Sequence, residues 1–254
     1  MASELAKALL LPHAQYELGT YNDSLPCVLS PNFVPKGCSL IHGNELLGRV
    51  FPLDGSRVSR FHQTTHTIDG VFDALQQSDC EMPLNWDPPK DLTTAYEVFT
   101  GYLLLDALIG NTDRHHENWG ILQEPDESMA RRHLAPTYDH AACLGFNLQD
   151  AAKAARLSSN DSGFQVEAYA EKALSALYAN QSDSKPLTTI GAFQLAANRH
   201  SRATEAWMSS LQRLGEDRFQ AILLEVPQQR LSAESSKFAL RMLLHNRKRL
   251  LNLA

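Results

Sequence analysis

The feature that most constrains this chain is a run of apolar residues at helical spacing: Leu92, Ala95, Val98, Phe99, Tyr102, Leu103, Leu105 and Ile109. It predicts a helix of about five turns, with Asp91 as its N-cap. Such a helix serves as the spine of a large helical lobe. Its most apolar part, Tyr102 to Gly110, contains Asp106 and is far shorter than the ~20 residues that cross a bilayer, so no membrane span is expected.

The elements around the spine follow from local signals. Leu5, Leu9 and Leu10 with Ala6 and Ala8 predict a short opening helix capped by Ser3 and stopped by Pro12. His13 to Tyr21 and Leu25 to Ser30 flank the turn residues Asn22, Asp23 and Ser24, which predicts a hairpin. Six prolines break Pro31 to Asp91, so that segment reads as a connector with one helix at Ile68 to Gln77. After the spine come a polar cluster, Asn111 to Asn118, and two short strands, Trp119 to Leu122 and His133 to Ala135. Helices are then expected at Glu167 to Asn180, Thr188 to Asn198, Ala203 to Leu214, Asp217 to Glu225 and Ala233 to Asn252, and Ser158 to Gly163 as a mobile loop.

Composition narrows the function. Of 254 residues, 43% are apolar, enough for a sizeable core, and the net charge of -6 offers no basic footprint for direct nucleic-acid binding. The opening MASELAKALLLPH lacks the basic start, long apolar stretch and cleavage site of a secretory signal, so a cytoplasmic chain is expected. Cys27, Cys38, Cys80 and Cys143 form no C-x-x-C pair and read as reduced, mostly buried thiols.

The chemistry concentrates in LLLDALIGNTDRHHENWGIL, Leu103 to Leu122, and HLAPTYDHA, His133 to Ala141. Asp113 and Asn118 stand in a loop with four residues between them, and Asp139 follows across a hairpin. Phosphoryl transfer needs a carboxylate to orient the attacking hydroxyl, and an amide oxygen and a second carboxylate to hold magnesium. Alone, Asp113 and Asn118 also suit ordinary turns. A metal-hydrolase site from His115, His116, Glu117, His133 and His140 with the two aspartates is the rival chemistry, although adjacent histidines fit a helical zinc pair poorly. Trp119, Tyr138 and Phe146 are expected to pack the loops against the core, and Arg241, Arg247, Lys248 and Arg249 to form a solvated helix face.

At LIGNTDRHHEN, Leu108 to Asn118, and LAPTYDHA, Leu134 to Ala141, the sequence resembles the HipA-like Ser/Thr kinases, toxin-type bacterial kinases with a protein-kinase-like fold. The resemblance implies an α+β, protein-kinase-like architecture: a partial small β lobe, residues 1–36 (helix plus hairpin), then a mainly α-helical C-lobe, residues 37–254. It implies transfer of the γ-phosphoryl group of ATP to a protein hydroxyl, with Mg²⁺ as cofactor. Asp113 matches the catalytic base, Asn118 and Asp139 the metal ligands, and His115 the histidine of D-x-H-x-x-N. Phe33, in CVLSPNFVP, falls near the adenine-contacting hinge, though by composition it also reads as a core phenylalanine.

A kinase of this type carries a phosphate-covering glycine-rich loop and a strand lysine ahead of its first helix. These 254 residues contain no G-x-G-x-x-G, and the first lysine, Lys7, falls inside the opening helix. The resemblance therefore implies a chain that starts within the small lobe. An antitoxin-like or small-lobe partner is the corresponding expectation, and a partner-dependent binding module is the second reading.

Overall fold

A computed structural model describes residues 1–50, 63–125 and 130–253. The spine is α4, Ala95–Ile109, and thirteen of its fifteen residues are buried. Its cap differs from expectation. Glu97 Oε2 accepts from the backbone N–H groups of Thr93 (2.8 Å) and Thr94 (3.0 Å), a reach-back arrangement that caps the helix from its own first turn. Asp91 lies earlier, in a left-handed turn (φ 79°), and starts nothing.

The small β part consists of α1, Ala2–Ala8, then the antiparallel hairpin of β1, Glu17–Tyr21, and β2, Leu25–Leu29. The cap of α1 is Met1, and Ser3 is buried inside the helix. His13 makes only an isolated bridge with Thr137 outside the strand. Leu5, Leu9 and Leu11 enter the main core, whereas Leu18, Tyr21, Leu25, Val28 and Leu29 are exposed on the hairpin.

The proline-broken connector holds more structure than its composition suggests. It carries β3, Ser39–His42, α2, Gly43–Val50, and α3, Ile68–Gln77; the last has the expected bounds and a Thr67 side chain accepting from Gly70 N at 2.9 Å. β3 pairs antiparallel with β4, Gly120–Gln123, and β4 with β5, Arg132–Leu134, in the order β3-β4-β5. Only this pairing, His42 opposite Gly120, reveals β3 as a strand.

The helical half comprises α5, Asp150–Ser158, α6, Val166–Ala170, α7, Thr189–Ala197, α8, Ser201–Gln212, α9, Glu216–Leu224, and α10, Ala233–Leu251. α5 was not expected. The helix expected over Glu167 to Asn180 stops at Ala170, because the chain then bridges Leu174 to Thr188 and Tyr178 to Thr67 and buries Ser175, Leu177 and Tyr178. Long-range pairing overrides local helix propensity there. Trp119 is buried as expected, but Phe146 is 59% exposed and packs no loop onto the core. The four cysteines are unpaired and half-buried rather than mostly buried.

Candidate active site

The site is assembled around a buried ion pair. Asp106, near the end of α4, is 1% exposed and Arg114 is fully buried. The guanidinium donates to Asp106 Oδ2 from Nε (2.7 Å) and to Oδ1 from one terminal nitrogen (2.8 Å), a two-point fork. That nitrogen also donates to Thr137 Oγ1 at 2.9 Å. The other donates to the carbonyls of Asn118 and of Tyr138, the latter at 3.4 Å. Burial opposes the Arg114 charge, yet the Asp106 carboxylate outweighs it and holds the guanidinium above its usual pKa. One side chain thus ties the spine to both motif loops.

The loop after α4 begins at Gly110, which adopts the left-handed conformation (φ 62°) that lets the helix end sharply. Asn111 donates from Nδ2 to Asp106 Oδ1 at 2.8 Å and accepts from Asp113 N at 3.3 Å. Asn118 Nδ2 donates to the Asp113 carbonyl at 2.7 Å, which spends the nitrogen end of the amide inside the loop and leaves Oδ1 as the end available to a cation. Glu117 N–H donates to His115 Nδ1 at 3.1 Å, so the ring proton belongs on Nε2. That nitrogen faces Asp113 Oδ1 at 3.8 Å, too long for a hydrogen bond. The Asp113 carboxylate is 39% exposed and open to a substrate hydroxyl.

Asp139 is exposed and also left-handed (φ 55°). Its N–H donates to Tyr16 Oη at 2.7 Å, linking the loop to the segment just before β1. The neighbours of Asp139 are anchored: Thr137 Oγ1 and His140 Nε2 are 2.8 Å apart, and Tyr138 Oη donates to the Glu117 carbonyl at 2.8 Å. Burial raises the Tyr16 and Tyr138 hydroxyl pKa values and lowers that of His140, keeping all three neutral near pH 7. Phe33 stacks on Tyr138 at 5.3 Å between centroids, half-buried beside the Asp139 loop and outside the core.

The oxygen donors of Asn118 and Asp139 suit a hard divalent cation such as Mg²⁺, which takes one or two protein oxygens plus phosphates and water. Their loops share the Arg114 guanidinium. The hydrolase set is scattered by comparison: His133 bonds the Met82 carbonyl (3.1 Å), His140 bonds Thr137, and among the described residues no three His, Cys, Asp or Glu side chains converge as a metal site. Behind Asp113 lies a cavity of about 230 Å³ walled by His66, His115, His116 and Leu174. Burial pushes the His66 pKa down to about 3. Its ring is satisfied neutral: Trp119 Nε1 donates to Nε2 (3.1 Å), and Nδ1 meets the Ala176 carbonyl (3.1 Å).

Asp106, Arg114, Thr137 and Tyr16 were not among the residues expected from the motifs. Asp106 carried a readable signal, being the lone charge in an otherwise apolar helix segment, which calls for a buried cation.

No family model and no curated protein matches this sequence. Among solved structures, the chain is similar to the Helicobacter pylori proinflammatory kinase CtkA, with a TM-score of 0.72 and 21% identity, covering 99% of this chain and 82% of that one. It also matches the HipA toxin–antitoxin system of Shewanella oneidensis MR-1, solved with HipB and operator DNA, with a TM-score of 0.49 and 12% identity, over 99% of this chain and 53% of that one. The fold is kinase-like, shown by the CtkA likeness. That fold is the protein-kinase-like one implied by the resemblance of the two loops. No helix among the described residues is long and apolar enough to cross a membrane.

Proposed function

We propose that the chain is a Ser/Thr protein kinase that transfers the γ-phosphoryl group of ATP to a protein hydroxyl. Residues 1–36 form part of its small lobe and residues 37–254 its helical lobe. The supporting observation is the Arg114 network, which joins the loop of Asp113 and Asn118 to the loop of Asp139. In this reading Asp113 orients the acceptor hydroxyl and takes its proton, and Asn118 Oδ1 with the Asp139 carboxylate holds Mg²⁺. The metal, when bound, neutralises charge on the phosphates. His115 steadies the loop beside Asp113, and the Phe33–Tyr138 stack offers an aromatic face to adenine. The test is labelling from radioactive ATP with the wild type, Asp113→Ala and Asp139→Ala: labelling by the wild type alone, with unchanged circular dichroism, supports the reading, and equal labelling by all three refutes it.

A second reading is favoured by the hairpin. Its Leu18, Tyr21, Leu25, Val28 and Leu29 are exposed and, among the described residues, both its strands are edges, a surface that soluble proteins generally cover. A partner chain completing the small β lobe, or an antitoxin-like regulator, would then switch the site on or off. Size-exclusion chromatography of the chain co-expressed with its neighbouring gene products distinguishes this reading: a complex that labels where the chain alone does not supports it.

A further inference from the structure

Kinase chemistry needs positive charge on the phosphates besides that of the metal, and every donor nitrogen of Arg114 is already committed within the loops. Asp139 opens on a cavity of about 450 Å³ between the hairpin, α5 and α10, within the size range of small-molecule sites. Two cations stand in its wall, Lys153 of α5 and Arg230, which precedes α10.

Lys153 is only 7% exposed. Its ammonium donates to Ser235 Oγ at 2.8 Å, and that hydroxyl donates in turn to Asp150 Oδ1 at 2.9 Å, so the acid is reached through a neutral group. Among the described residues the ammonium has this one hydrogen bond, and no carboxylate pairs with it directly. A buried charge held this way lacks the direct counter-ion such groups normally have. Arg230 donates to the Gly19 carbonyl at 2.6 Å and Thr20 Oγ1 at 3.2 Å, again with no acidic partner among the described residues. Leu18, Val28 and Leu231 give the cavity an apolar lining beside these cations.

We propose that the phosphates of the nucleotide lie in this cavity beside Asp139, with Lys153 as their principal cationic partner and Arg230 as the second. Lys153 reaches the phosphates from α5, in the helical lobe. The inference rests on the nucleotide reading above and deepens it by naming the residues that recognise the phosphates.

The experiment is calorimetric titration of the full chain with Mg-ATP and, separately, AMP, for the wild type, Lys153→Met, Lys153→Arg and Arg230→Gln. Methionine keeps the buried aliphatic stem while removing the charge. Lys153→Met should weaken Mg-ATP at least tenfold and AMP by much less, Lys153→Arg should restore most of the affinity, and Arg230→Gln should weaken Mg-ATP severalfold. A Lys153→Met protein that melts like the wild type and binds Mg-ATP within twofold of it overturns the inference and leaves the kinase reading standing. If Lys153→Met does not fold, unchanged Mg-ATP affinity in the folded Arg230→Gln protein overturns it instead. A wild type that binds no nucleotide overturns both readings.

Discussion

Replacing Arg114 by lysine tests the organisation of the site most directly. The charge is kept, but a lysine presents one compact donor head where arginine offers a planar fork. Arg114 makes two contacts with Asp106, one with Thr137 and two with loop carbonyls, all in a fully buried position. Lysine can keep the Asp106 contact and one other, so at least two hydrogen bonds to a charged donor are lost, at about 1.5–3 kcal/mol each. The expected destabilisation is about 3–5 kcal/mol, comparable to breaking a buried ion pair by removing one partner. For a chain of this length it corresponds to a melting point lower by roughly 6–20 °C. Calorimetry and urea denaturation measure it. Asp106→Asn with Arg114→Gln should cost clearly less than the sum of the two single changes, since neither charge is stranded. An Arg114→Lys protein within 1 kcal/mol of the wild type, or strict additivity in the double variant, would refute the keystone role of this pair.

Three further outcomes are expected. His66 is buried neutral with its pKa lowered from 6.5 to about 3, so the unfolded chain takes up that proton first and stability falls as pH drops from about 6.5 toward 3. The loss from this residue is about 3 kcal/mol by pH 4; denaturation curves across that range should be flatter for His66→Gln, and an identical slope would contradict the assignment. Gly110→Ala places a methyl group against Met242 in a left-handed residue and should cost at least ~1 kcal/mol, measured by thermal melting, with a shift under 1 °C counting against it. Glu97→Ala removes the two reach-back contacts to Thr93 and Thr94 and should cost ~1 kcal/mol while leaving nucleotide binding unchanged; equal stability would show that the cap is dispensable.

How much was legible in the sequence varied with the range of the signal. α3, the β1–β2 hairpin, the β4–β5 strands and most of the late helices announced themselves through periodicity, turn residues and caps, all of which act over a few positions. The motif loops were legible for the same reason, as short runs of residues whose types suit one chemistry. Phe33 was not legible: it reads locally as a core phenylalanine, whereas its stacking on Tyr138 depends on a residue 105 positions later.

By itself, then, the sequence determined a mixed chain with an apolar spine, a polar loop at the end of that spine and two acid-bearing motifs on either side of a hairpin. Tertiary structure decided what those motifs are attached to. β3 exists because β4 pairs with it, α6 ends early because the following residues pair with Thr188 and Thr67, and the two motif loops meet because Arg114 bridges Asp106, Asn118 and Thr137. Lys153 and Ser235 likewise come together only when α5 packs on α10. The physical reason is common to all of them: strand pairing and buried charge are satisfied by whichever partner the fold delivers, and neighbours along the chain do not reveal which one it will be.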